Sequence, residues 1–182
     1  MERNIAYVAL FAALIVVLGL LPKFNLLSGV PITAQSLGVM LCGVVLGAKR
    51  GALAVLLFLL LVAIGLPFLA GGRGGIGVFA TPSVGFLIGW PVAAFVTGLI
   101  MQRSAPASIL WRALVASVIG GILVLYAFGI PGMALMLEKD LITAAGFAMP
   151  FVPGDIIKAV AAGAIAQGLY GIRPRALISV KG

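Results

Sequence analysis

The chain has 182 residues, of which 63% are hydrophobic and only 9% charged, and its mean hydropathy is +1.30. Soluble domains carry roughly 25% charged residues, and a globule of this size could not hide so much apolar surface, so a water-soluble fold is excluded and an all-α integral membrane protein is expected. The net charge of +8 comes from cations in short segments between apolar runs, which points to membrane topology and away from nucleic acid. One cysteine, Cys42, and no histidine exclude an internal disulfide and argue against a zinc, iron or copper site.

A spanning helix needs roughly 17–25 mostly apolar residues. The first is predicted from Asn4 to Leu21, ended by Pro22 and Lys23. Its apolar run is longer than the roughly 7–15 residues of a signal-peptide core and no small-x-small site follows, so it is expected to be retained. "KFNLLSGVPITAQS" leads to a second helix, Ala34 to Gly47, short enough to be tilted or reentrant. "GAKRG" reads as a tight polar turn, and the third helix, "ALAVLLFLLLVAIG", stops before Pro67. A glycine-rich loop, "LPFLAGGRGGIGVFATPS", precedes helix four, Val84 to Met101, where Pro91 predicts a kink. Helix five is predicted from Ile109 to Phe128. The long connection "GIPGMALMLEKDLITAAGFAMPFV" has room for short interfacial helices before helix six, Pro153 to Tyr170, and the tail "GIRPRALISVKG" is basic. Six transmembrane helices in one domain over residues 1–182 are expected.

With both termini cytoplasmic, the inner segments hold Arg3, Lys49, Arg50, Arg103, Arg112, Arg173, Arg175 and Lys181. The outer loops hold Lys23, Arg73 and Lys139. That bias obeys the positive-inside rule, and an odd number of helices would break it.

The stretch "FVPGDIIKAVAAG" puts Asp155 and Lys158 three residues apart, on one face of helix six. Capping could explain an acid in a first helical turn. It does not explain a lysine one turn deeper, which costs about 2.5–3.5 kcal/mol in a bilayer. The pair is therefore expected to serve a small polar guest in a cavity open to the outer side. In "AGGRGGIGVF", Gly72, Gly74 and Gly77 formally satisfy G-x-G-x-x-G, but no βαβ unit surrounds them, so a dinucleotide site is rejected. Gly72, Gly74 and Gly75 either form a turn or let backbone approach a ligand. Arg73 either adds a cation for a carboxylate or sits in water. Thr33 and Gln35, in "PITAQS", either cap helix two or meet the ligand. Ala9 and Ala13 form a small-xxx-small step, fit for close helix packing or for docking another membrane protein. No Walker loop and no Ser/His or Cys/His set is present, so neither ATP hydrolysis nor an enzyme is expected. No cofactor is called for.

On "VPITAQSLGVMLCGVVLGAKRG", "LAGGRGGIGVFATPSVGFLIGW" and "FVPGDIIKAVAAG" the sequence resembles the BioY family, the biotin-specific S components of energy-coupling factor (ECF) transporters. The resemblance implies an S-component fold that captures biotin near the outer face of the inner membrane. It implies ligand contacts at Asp155 and Lys158, a lining role for the glycine loop Gly71 to Gly77, and a closing loop over roughly Leu26 to Gln35. It also implies that Ala9 and Ala13 meet a transmembrane coupling subunit, with two ATPase subunits completing the transporter. "TPSVG" departs from the more glycine-rich segment the family carries there, placing Ser83 and Val84 on the pocket wall. The alternatives are an S component for another small vitamin, or an autonomous channel or secondary transporter.

Overall fold

The computed structural model describes residues 2–25, 28–103 and 108–180. These residues form the helices α1 (Glu2–Gly19), α2 (Gln35–Leu46), α3 (Ala48–Ala63), α4 (Val84–Arg103), α5 (Ile109–Leu137), α6 (Leu141–Ala148) and α7 (Phe151–Ile172). A two-residue antiparallel ribbon pairs Phe24 with Ile32 and Asn25 with Pro31. Among the described residues the regular structure is thus helical apart from that ribbon, as the composition leads one to expect.

Among the described residues, four helices are long and apolar enough to cross a membrane: α1, α4, α5 and α7. The six expected spans are not reached by that measure, because α2 has 12 residues and α3 has 16. At 1.5 Å per residue they extend about 18 and 24 Å, short of a hydrocarbon core of about 30 Å. Both are nonetheless held tightly. α2 is buried at ten of its positions, including Val39, Met40 and Val44, so its apolar surface serves the core.

α4 lies at the centre, packed against α2, α3 and α5, while α5 pairs with α7 and α1 covers α2 and α3. Glycines set the closest crossing. A Cβ at Gly85 would meet the Phe128 carbonyl and Gly132, and one at Gly132 would meet Gly85. In lipid, where apolar side chains gain little by meeting one another, such close backbone approach supplies the packing energy.

Several boundaries differ from expectation. The "GAKRG" turn shrinks to one residue: Gly47, at φ +83°, separates α2 from α3, and Lys49 and Arg50 already lie in α3. Only glycine takes that left-handed conformation without strain. α5 does not stop at Phe128 but runs through Pro131 to Leu137. Proline reads as a helix breaker in water, whereas here Gly129 and Gly132 seat this segment on α4. A π-helical turn, Ile119–Val124, adjusts the ladder just before it. The long connection does hold one short helix, α6, started by Asp140, whose side chain accepts from the Thr143 N–H.

The helix directions gather two kinds of end. At one end lie the α2–α3 junction, the last turn of α4 and the first of α5: Gln102 meets the Ala48 N–H and Arg112 reaches the Met101 carbonyl. The tail folds over this end, with Leu177 and Ser179 fully buried and the Ser179 hydroxyl bonded to the Val44 carbonyl. The other end gathers the last turn of α1, the first turns of α2, α4 and α7, and the loop between α3 and α4. Lys181 lies outside the described residues.

Candidate functional site

α7 begins at Phe151, two residues earlier than expected, with Pro153 at its third position. A proline there removes an N–H that has no helical partner anyway. Asp155 is consequently the fifth helical residue, past the free N–H groups, and makes no cap bond. Capping therefore does not account for it. Its side chain is instead buried among polar partners from three helices.

Asp155 Oδ1 accepts from Lys158 Nζ at 2.8 Å and from Ser36 Oγ at 3.3 Å. Its Oδ2 accepts from the Tyr126 hydroxyl at 2.8 Å. Lys158 Nζ also donates to Ser36 Oγ at 2.9 Å. The side chains of Lys158 and Asp155 are 15% and 6% exposed. A buried carboxylate is tolerable only when paired and hydrogen-bonded, and these three donors satisfy it. Ser36 comes from the first turn of α2 and Tyr126 from the middle of α5. The cluster thus ties three helices together.

Ser36, Asp155 and Lys158 of this cluster form one side of a cavity at the loop-rich end, with Tyr126 behind them. Phe86, Leu87 and Trp90 of α4, Leu125 of α5 and Phe151 of α7 make its apolar wall. Phe86 sits edge-on to Tyr126, with ring centroids 6.1 Å apart, and 5.8 Å from Phe151. Pro31 of the two-residue ribbon, with Val30 and Thr33 on either side of that strand, closes another side. The cavity measures about 60 Å³, enough for a few waters and well under the roughly 300–1,000 Å³ of pockets for drug-sized ligands. A larger guest requires one wall to move. Of the expected closing loop, Leu26 and Leu27 lie outside the described residues.

Arg73 lines the cavity too. It ends a tight turn in which Leu69 and Arg73 exchange backbone hydrogen bonds. Its Nε donates to the Ala70 carbonyl at 3.4 Å, and no carboxylate pairs with it among the described residues. Partial burial lowers its pKa, yet a guanidinium stays charged at any relevant pH. Gly72 and Gly75 hold φ of +72° and +83°, while a Cβ at Gly74 would strike the Leu66 carbonyl. None of these three is among the residues facing the cavity; they shape the turn that aims Arg73.

Gln35 is 1% exposed and braces the site. Its Nε2 donates to the carbonyls of Ile15 and Phe68, and its Oε1 accepts from the Ala70 N–H. One amide therefore joins α1, α2 and the arginine turn. The Thr33 hydroxyl accepts from the Gln35 N–H at 3.3 Å, and both residues also border the cavity. Ser83 supplies a buried hydroxyl to the same cavity, with no hydrogen-bond partner among the described residues. Ala9 and Ala13 are far from this cluster in α1, both exposed, on the helix that is only 17% buried.

Sequence reasoning brought forward Asp155, Lys158, Arg73, Thr33 and Gln35, all of which border one cavity. It passed over Ser36, Tyr126 and the aromatic wall. A tyrosine within an apolar run was a usable signal, since a buried phenol seeks a partner. Nothing in the order of residues tied Tyr126 to an acid 29 positions away.

Residues 2–175 match the family model described as the BioY family. A protein from Rhodobacter capsulatus named biotin transporter BioY is 51% identical, over 98% of this chain and 99% of its own length. One of the same name from Rhizobium etli is 53% identical over 92% of each. Among solved structures, the S-component for biotin from an ECF-type ABC transporter superposes with a TM-score of 0.86 at 31% identity, covering 93% of this chain and 92% of that one. With near-complete coverage, high identity and a shared fold, the chain belongs to the BioY family.

Proposed function

We propose that this chain is the substrate-binding component of an ECF-type transporter for biotin. The observation that carries the reading is the buried Asp155–Lys158–Ser36–Tyr126 cluster facing a cavity with an aromatic wall. The ureido ring of biotin offers two N–H donors and one carbonyl, which match the carboxylate and the ammonium. Its apolar thiolane and alkyl chain suit Phe86, Trp90 and Leu87. Arg73 and the Ser83 hydroxyl complete the polar lining, and Thr33 and Gln35 hold the mouth. The glycines at 72, 74 and 75 contribute by fixing the Arg73 turn.

The cavity end faces the outside of the inner membrane in this reading, with both termini cytoplasmic. The supporting feature is the gathering of Lys49, Arg50, Arg103 and Arg112 at the opposite end. The chain carries no phosphate-binding loop, so transport draws on partners: a coupling subunit and two ATPase subunits. The exposed Ala9 and Ala13 offer the coupling subunit a smooth helix face.

Calorimetric titration of the purified protein with biotin tests the site. Removing one charge alone would strand the other, at about 3–5 kcal/mol, so the double variant Asp155→Asn/Lys158→Met is preferred. It should remain folded and lose about tenfold to hundredfold in affinity for each charge-assisted bond removed. Undiminished biotin binding by that variant would remove the basis of the assignment.

A further inference from the structure

A second feature lies at the opposite end of the bundle and takes no part in the biotin site. Between the first turn of α3 and the last turn of α4 is a cleft of about 400 Å³, lined by Lys49, Arg50, Gln102 and Arg103. Its apolar walls come from Leu46, Phe95 and Leu99. No carboxylate answers these three cations: among the described residues the one ion pair is Asp155–Lys158, at the other end. Gln102, itself exposed, reaches across to α3, its Oε1 accepting from the Ala48 N–H at 3.4 Å. The cleft floor is therefore the positive end of the α3 dipole, which no side chain of α3 itself caps.

Arg50 also borders a neighbouring furrow of about 620 Å³ between α1 and α3, walled by leucines and other apolar side chains. Leu53, Leu56 and Leu60 run along it, each about half exposed. They lead from the cationic end of α3 toward the middle of the bundle. The anion-seeking groups thus sit at a helix end, and at Arg50, which borders both features, the cationic cleft meets the hydrocarbon-seeking furrow. We propose that this α3–α4 cleft binds an anionic phospholipid, with its phosphate among Lys49, Arg50 and Arg103 and an acyl chain along the α3 furrow.

A free phosphate would leave the furrow uncovered. A zwitterionic lipid brings a headgroup cation along with its phosphate and so offers no net negative charge to the three cations. Basic pockets between transmembrane helices suit anionic headgroups, and long cationic side chains extend to the phosphate plane while their stems cover apolar surface.

Native mass spectrometry of the detergent-purified, delipidated full chain gives the test, with phosphatidylglycerol, phosphatidylcholine and glycerol phosphate as probes. Phosphatidylglycerol should stay bound under activation that strips phosphatidylcholine. Lys49→Gln/Arg50→Gln/Arg103→Gln should lower its occupancy by about fivefold per cation removed. A variant of equal net charge, Lys139→Gln/Arg173→Gln/Arg175→Gln, should keep it. Where the triple cleft variant does not fold, Lys49→Gln and Arg103→Gln alone, both at exposed residues, carry the same expectation of about fivefold each. Equal retention of the two lipids, equal loss in the charge-matched variant, or equally tight binding of glycerol phosphate would each overturn the proposal.

Discussion

At the residue scale, the site depends on side chains that never need to touch a ligand. Gln35 satisfies two carbonyls and one N–H from separate segments, all in a buried setting. Gln35→Leu keeps the volume and strands those groups, at about 1–3 kcal/mol each. A marked fall in the thermal midpoint in detergent is expected, together with weaker biotin binding as the Arg73 turn loosens. Tyr126→Phe makes a narrower cut. It keeps the ring against Phe86 but takes one donor from Asp155. A hydrogen bond to a charged group contributes about 1.5–3 kcal/mol, so unfolding by denaturant should show a loss of that size without a change of fold. Both partners of Asp155 on other helices, Ser36 and Tyr126, were hidden from sequence reasoning. A hydroxyl in an apolar run announces that it needs a partner and does not say which.

At the element scale, helix ends and crossings depart most from what periodicity gives. α5 runs on through Pro131, and Gly85 and Gly132 let it meet α4 backbone to backbone. Gly85→Ala puts a methyl against the Phe128 carbonyl and should destabilise by about 1–3 kcal/mol through overpacking, read as a lower denaturation midpoint. α6 owes its start to Asp140, whose carboxylate accepts from the Thr143 hydroxyl at 2.7 Å and its N–H at 2.9 Å. Those bonds, the hydroxyl's first, hold its pKa below the ordinary 3.8. A carboxyl depressed in the folded state stabilises fully above its unfolded value and loses that contribution as pH falls through the lower folded one. Asp140→Ala should therefore be less stable than the parent near neutral pH, and the two should converge in acid below that range. Thermal unfolding across pH checks the convergence.

At the scale of the whole molecule, the chain closes its two ends by different means. The cavity end is shut by loops around the Gln35 amide, while the cationic end is shut by its own tail. Leu177 is fully buried, and the turn that follows it, Ile178–Val180, packs on α2 and α4, although the sequence marks the tail only as basic. Leu177→Ala should cost about 2–5 kcal/mol if the end does not collapse around it, a loss measurable by denaturation in detergent. By itself the sequence determined the membrane class, the helical architecture, the charge bias and the pairing of Asp155 with Lys158. Each follows from composition or from spacing within one helix, where geometry is local and fixed. Only the tertiary structure decided which hydroxyls meet that pair, which aromatic rings wall the cavity, and that Gln35 braces while Arg73 faces inward. Those facts rest on helix crossings between residues far apart in the chain, and crossings are set by which surfaces fit, a property that no single segment carries.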